Sequence, residues 1–163
     1  MANLNGFPEV FHSDSASEDA SQQIPLGTRS LDKNGNEYVY LRGTASVVAG
    51  DWCSIFYDDY TVKRADTDEV GPLGIAGTAI GAGEFGWFQV YGLAKNANIV
   101  TGAGQAAASG PIALYLTGTA GRAGTADAAG ELIEGAFQLG GVAASNVGTA
   151  WLNHPAVYNA AQD

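Results

Sequence analysis

Residues 81–86 read Gly-Ala-Gly-Glu-Phe-Gly, the G-x-G-x-x-G spacing that cradles a dinucleotide pyrophosphate when a strand enters it and a helix leaves it. The helix is essential, because its N-terminal amides and dipole hold the phosphates. After Gly86 come Trp-Phe-Gln-Val-Tyr-Gly, where Phe85, Trp87, Gln89 and Tyr91 alternate with Gly86, Phe88, Val90 and Gly92. That period of two belongs to a pleated strand. The glycines are expected to shape a tight turn, with no nucleotide cofactor.

Other candidate sites are weak for stated reasons. A thiol nucleophile needs a base, and Cys53, the single cysteine, has only His12 and His154 to draw on. His12 lies in a polar segment and His154 precedes a proline near the C-terminus, so no dyad is expected. Asp66, Asp68 and Glu69 alternate carboxylates as calcium loops do, yet lack the EF-hand placement of glycine and the final glutamate. They are expected to form a solvated acidic loop, with no metal site. Asp51, Glu84, Glu131 and Glu134 offer pairs for glycoside hydrolysis, but sequence spacing does not set their separation in space. G-x-S-x-G and G-x-x-x-x-G-K are both missing. No catalytic residue is assigned, and the chain is not expected to be an enzyme.

Aromatic side chains are the remaining candidates. Trp52, Phe56, Trp87, Tyr91 and Trp151 would suit a stacking platform for sugar rings; aromatics on alternating strands also fill cores and subunit contacts. A glycan-binding or adhesive module is therefore the alternative function, favoured if Trp87 or Trp151 stands open in a concave site.

These residues must be positioned by strands. The stretches Tyr38–Val48, Trp52–Tyr57, Leu73–Ile80, Phe85–Gly92, Ile112–Leu116, Glu131–Leu139 and Thr149–Tyr158 are short, β-prone and separated by turn residues. Val39 and Leu41 share one face, as do Cys53, Ile55 and Tyr57; Ile112, Leu114 and Leu116; and Ile133, Phe137 and Leu139. Asn34-Gly35 suits a type I′ turn. Residues 104–110 are the one helix candidate, a single turn, and 125–130 read as a turn. Gly50-Asp51-Trp52 and Gly83-Glu84-Phe85 echo one another at the entrances to two aromatic strands, which points to a shared turn geometry.

Seven or eight strands predict an all-β chain: one small β-sandwich or β-barrel domain, residues 28–163, preceded by an extended arm, residues 1–27. The arm scatters Phe7, Val10, Phe11 and Ile24 around a polar stretch and buries too little alone to offset its ordering entropy. Those four are the candidate contacts to a partner or sister subunit.

The bulk properties narrow the partners. The 163 residues suit one domain. A formal charge of −10, from 7 basic and 17 acidic side chains, disfavours nucleic acid and anionic lipid. Lys63-Arg64 is the only basic doublet. No secretory signal or apolar run of membrane-spanning length is visible, so the chain is expected to begin in a cytoplasm and stay soluble.

The run Gly71–Lys95, with Gly74-Ile75-Ala76 opening a strand, Gly83–Trp87 making the turn and Gln89-x-x-Gly92-x-Ala94 following, resembles a segment of tailed-bacteriophage capsid decoration, or cement, proteins. Residues 125–141 and 149–155 resemble later strands of that group, and the likeness in pattern spans residues 27–157. The resemblance implies a small β-domain on the outer surface of a virion, assembled in the host cytoplasm. It implies the major capsid protein as partner and a homo-oligomer, with a trimer favoured. It implies no cofactor and supplies no catalytic residue to carry over.

Overall fold

The computed structural model describes residues 19–100, 111–125, 131–140 and 146–158. Phe7, Val10, Phe11 and His12, the helix candidate at 104–110 and nearly all of the turn at 125–130 lie outside the described residues. Within them the fold is all-β. Ten strands form one hydrogen-bonded sheet: β1 (Arg29–Leu31), β2 (Glu37–Gly43), β3 (Trp52–Phe56), β4 (Thr61–Arg64), β5 (Gly71–Ala76), β6 (Phe85–Val100), β7 (Ile112–Leu116), β8 (Ala123–Gly124), β9 (Leu132–Leu139) and β10 (Val147–Val157). The count exceeds the expected seven or eight because β1, β4 and β8 are too short to show a period.

The pairings close twice. In the first ring β2 pairs with β6, β6 with β5, β5 with β3 and β3 with β4, all antiparallel, and β4 returns to β2 in parallel. In the second, β6 pairs with β10, β10 with β9, β9 with β7 and β7 with β8, again antiparallel, and β8 returns to β6 in parallel. Strands β2 to β6 thus find their counterparts, in chain order, in β6 to β10. The 16-residue β6 belongs to both rings.

Each ring has an apolar filling set by alternation. Val39, Leu41, Cys53, Ile55, Val62, Phe88 and Val90 occupy the first. Ala97, Ile99, Leu114, Leu116, Ile133, Ala136, Ala150 and Leu152 occupy the second, in one cluster with Trp52, Leu73 and Ile75 from the outer side of β3 and β5. Full burial of each large side chain contributes about 1.5–3 kcal/mol, so this junction fixes the rings to one another as firmly as it fills them. The pairing of Ala156 and Val157 with Pro72 and Gly71 closes the same seam.

Three local expectations are corrected. Asn34 has ordinary negative φ, and only Gly35 of the pair is left-handed (φ 80°). The amide of Gly35 donates to the Asp32 carbonyl, and the Asp32 carboxylate accepts from the amides of Asn34 and Asn36. That side-chain clamp selects a longer hairpin loop over the two-residue type I′ turn. Ile133 points inward whereas Phe137 is exposed, because Gly135 (φ 74°) shifts the register between them. The strand opened by Phe85 does not stop at Gly92; left-handed Gly92 (φ 94°) turns it from the first ring into the second.

Candidate interaction site

Most charged candidates are consumed by the fold. Asp51 is buried, and its carboxylate accepts from the Val48 amide (2.9 Å), Arg64 Nε (2.7 Å) and Asn98 Nδ2 (2.8 Å). Glu84 accepts from the Gly81 amide at 2.7 Å. The sequence Gly-Ala-Gly-Glu-Phe-Gly is therefore a turn closed by its own glutamate, and it leads into β6 with no helix behind it. Lys63 and Arg64 are neighbours on a strand and separate: Lys63 pairs with Glu69 and lies over Phe56, while Arg64 pairs with Asp51. Asp66 accepts from the Asp68 amide. Glu131 is half-buried and Glu134 exposed.

Cys53 lies in the filling of the first ring, where burial, and then the nearby Asp51 charge, pushes its thiol well above the usual range. His154 is exposed on β10 beside the Tyr91 ring, at 5.7 Å between centroids. Among the described residues no three His, Cys, Asp or Glu side chains gather as a metal set, and no helix is long and apolar enough to cross a membrane.

The aromatic candidates divide sharply. Trp52 and Trp87 are buried, and Phe56 is half-buried. Trp151 is 37% exposed and meets Tyr91 edge-on at 5.7 Å. Together they border a groove of about 500 Å³ whose other walls are Leu93, Lys95, Gly92 and the Asn34–Asn36 loop. Asn36 holds the loop against β6: its Oδ1 accepts from the Leu93 amide (2.8 Å) and its Nδ2 donates to Asp32 (2.8 Å). Burial would raise the Asp32 carboxyl, but hydrogen bonds from Asn36 and Asn34 outweigh it and hold it below the usual range. Behind the loop, burial and then the Asp32 charge push the Tyr38 phenol up to about 12. A rigid polar rim beside an open indole can hold a ligand by stacking and hydrogen bonding.

A second feature was not singled out from the sequence. Leu93, Trp151, Phe137 and Ala113 are consecutive cross-strand partners on β6, β10, β9 and β7. Leu93 is half-buried and the other three are exposed, Phe137 at 44%. They form an apolar row across the outside of the second ring. Simple alternation puts Phe137 on the face of Ile133, and the shift at Gly135 turns it outward.

Ile24, the one arm candidate among the described residues, packs partly buried against Tyr40 and Trp87 of its own chain, with Leu26, Tyr38 and Phe85 around it. The segment carrying it is pinned throughout. Asp19 and Phe85 exchange both backbone hydrogen bonds at 2.9 Å, and the Tyr40 hydroxyl donates to the Asp19 carboxylate at 2.7 Å. Burial, and then that bond, push the Tyr40 phenol up to about 12. The Gln23 amide donates to the same hydroxyl, and the Gly27 amide to the Tyr40 carbonyl.

The chain matches no family model, no curated protein and no solved structure.

Proposed function

We propose that the protein is a structural virion component that decorates and stabilises the outer surface of a tailed-phage capsid, acting as a homo-oligomer with a trimer favoured. The reading starts from the sequence resemblance of Gly71–Lys95 to decoration proteins. The observation that carries it furthest is the pinning of residues 19–27 along the Tyr40–Trp87 cluster. A stitch between capsomers needs one end fixed to a rigid body and anchors beyond the fixed point. Phe7, Val10 and Phe11 lie beyond Asp19, and Ile24 belongs to the fixed end. Copies joined in an oligomer would present several arms at once, which raises avidity without new contacts. Such a role needs no active site, metal or cofactor, and an acidic chain suits the outside of a DNA-filled shell.

The test is retention on purified particles stripped of this protein. The full chain is expected to rebind and the chain lacking residues 1–18 to be released. Equal retention of the two would move the capsid contact onto the β-domain, and failure of the full chain to bind any particle, with its absence from virions by mass spectrometry, would remove the capsid reading.

The open indole of Trp151 beside the groove favours a second reading, a glycan-binding module. Titration with oligosaccharides separates the two: Asn34→Ala, on the groove wall, would weaken glycan binding and leave capsid retention unchanged.

A further inference from the structure

We infer that the crevice between the two rings is a second sugar subsite, adjoining the groove beside Trp151, and that the two together hold a neutral oligosaccharide of at least two units. The inference deepens the glycan reading and rests on it, not on the capsid. The crevice, of about 240 Å³, lies against the outer row of the first ring, where Tyr38 pairs with Gln89, Gln89 with Ile75 and Ile75 with Trp52. That row is the counterpart of Leu93–Trp151–Phe137–Ala113 in the second. Trp52 is packed over by the second ring, whereas Tyr38, Gln89 and Ile75 line the crevice. The facing wall is β6 just past its turn at Gly92, from Leu93 to Asn96. Asn34, Asn36, Leu93 and Lys95 border both hollows, so one ligand can reach from either into the other.

Two glycines build these walls. A Cβ on Gly92 would collide with Asn36 Oδ1, and one on Gly50 with the Asn96 carbonyl oxygen, so only glycine lets the loop and the turn close on β6. Both ends of the Asn36 carboxamide are already bonded within the chain. The walls are thus set before a ligand arrives, which keeps the ordering cost of binding small.

The polar groups left over specify the ligand. Gln89 is 6% exposed and its Nε2 donates to the Tyr91 carbonyl at 3.1 Å, which leaves Oε1 with no protein donor among the described residues. An acceptor so nearly enclosed is costly to leave unmatched. The Asn96 carboxamide and the Lys95 ammonium line the same crevice, and neither has a protein partner among the described residues. An acceptor, a donor and a group that is both, above apolar Ile75, Ala76 and Ala94, match a ring with hydroxyls on its edge and C–H groups on its face. The volume falls short of the roughly 300 Å³ at which drug-sized sites begin, and suits a single sugar ring. Across the shared rim, Tyr91 and Trp151 offer the next ring an aromatic surface. Asp32 stands in the crevice beside Lys95 and the chain carries −10, so the site has no net positive charge to hold a ligand carboxylate.

Calorimetric titration of the full chain reads this with neutral mono-, di- and trisaccharides of glucose, galactose, mannose and N-acetylglucosamine, and with a disaccharide containing glucuronate. One neutral series is expected to bind, its disaccharide at least about ten times more tightly than its monosaccharide, because the second ring binds as a tethered group. Asn96→Ala removes a crevice side chain, and Ala49→Trp fills the crevice from an exposed position. Each should weaken the disaccharide at least about tenfold with unchanged melting temperature. A disaccharide no tighter than its monosaccharide overturns the inference and leaves the groove a single site. So does a disaccharide that both variants bind as the parent does, and so does tighter binding of the glucuronate sugar than of any neutral one. Absence of binding by every sugar removes the glycan reading itself, and the inference with it.

Discussion

Asp51 and Glu84 do the same work in two interlocked turns. The amide of each donates to the carbonyl three residues back, from Val48 and Gly81 respectively, and each carboxylate accepts the amide of that same residue. Between the turns Val47 and Ile80 exchange backbone hydrogen bonds at 2.9 and 3.1 Å. The strands on either side obey the same relation: Arg42 faces Phe85 as Ile75 faces Trp52, and Leu41 faces Gly86 as Gly74 faces Cys53. Two like hairpin units have thus exchanged partners inside the first ring. Their differences give direct comparisons of one position in two settings.

Asp51→Ala should destabilise the chain by about 3 kcal/mol, because it removes the acceptor for a backbone amide, Asn98 and Arg64 in a buried site. The Arg64 side chain is 38% exposed, so water can take up its charge and hold the loss near the low end for a broken pair. Glu84→Ala loses one hydrogen bond and should cost about 1 kcal/mol. Urea denaturation of the two variants reads the difference.

Gly50 and Gly83 occupy equivalent turn positions, both at φ 85°. Nothing lies within 4 Å of a side chain built on Gly83, so Gly83→Ala should cost only the left-handed backbone penalty, about 1–2 kcal/mol. On Gly50 a Cβ would collide with the Asn96 carbonyl oxygen, so Gly50→Ala should cost more than about 3 kcal/mol and part the two rings. Melting curves of the pair give the ordering. Added NAD or FAD should leave the melting temperature of the parent chain unchanged.

The raised phenols of Tyr38 and Tyr40 predict an alkaline limit. A folded-state pKa of about 12 against the ordinary 10 means that the folded chain holds the proton more tightly. The corresponding stability is complete below pH 10 and is lost as pH rises through about 12. Melting temperature should fall across that window, and Tyr40→Phe should flatten the fall. The same variant loses the bond to Asp19, so proteolysis should quicken at residues 19–23.

Cys53 should resist thiol reagents in the native chain, being buried with a raised pKa. Its labelling rate should then follow global unfolding. Rapid modification of the native protein would place it outside the filling of the first ring.

Alternation made β2, β3 and the start of β6 legible in the sequence, because one face of each is continuously apolar: Val39 with Leu41, Cys53 with Ile55, Phe88 with Val90. The echo of Gly50-Asp51-Trp52 in Gly83-Glu84-Phe85 was legible as a turn, since both carboxylates act within a few residues of themselves. The second correspondence, of β2–β6 with β6–β10, was not. Its equivalent residues share position without chemistry, Trp52 answering to Ala113 and Gln89 to Trp151, because one row is packed over and the other is open. The face of Phe137 was misread for a related reason, since a single left-handed glycine reverses the parity on which alternation depends. The groove required Asn36 to meet Leu93 across a loop, which no local pattern encodes.

That β6 serves both rings bears on how the chain is made. Synthesis proceeds from the N-terminus, and every pairing of the first ring lies within residues 37–91, so that ring leaves the ribosome whole before β7 emerges. The second ring has no such independence, for its first strand is the last wall of the ring already built. Until β10 arrives, Trp52 and Ile75 stand uncovered on the nascent chain, as Ala113 and Phe137 do in the single folded chain. The moment of greatest risk of association with neighbouring nascent chains therefore falls between release of Val100 and release of Val157, and a pause in translation there would lengthen it.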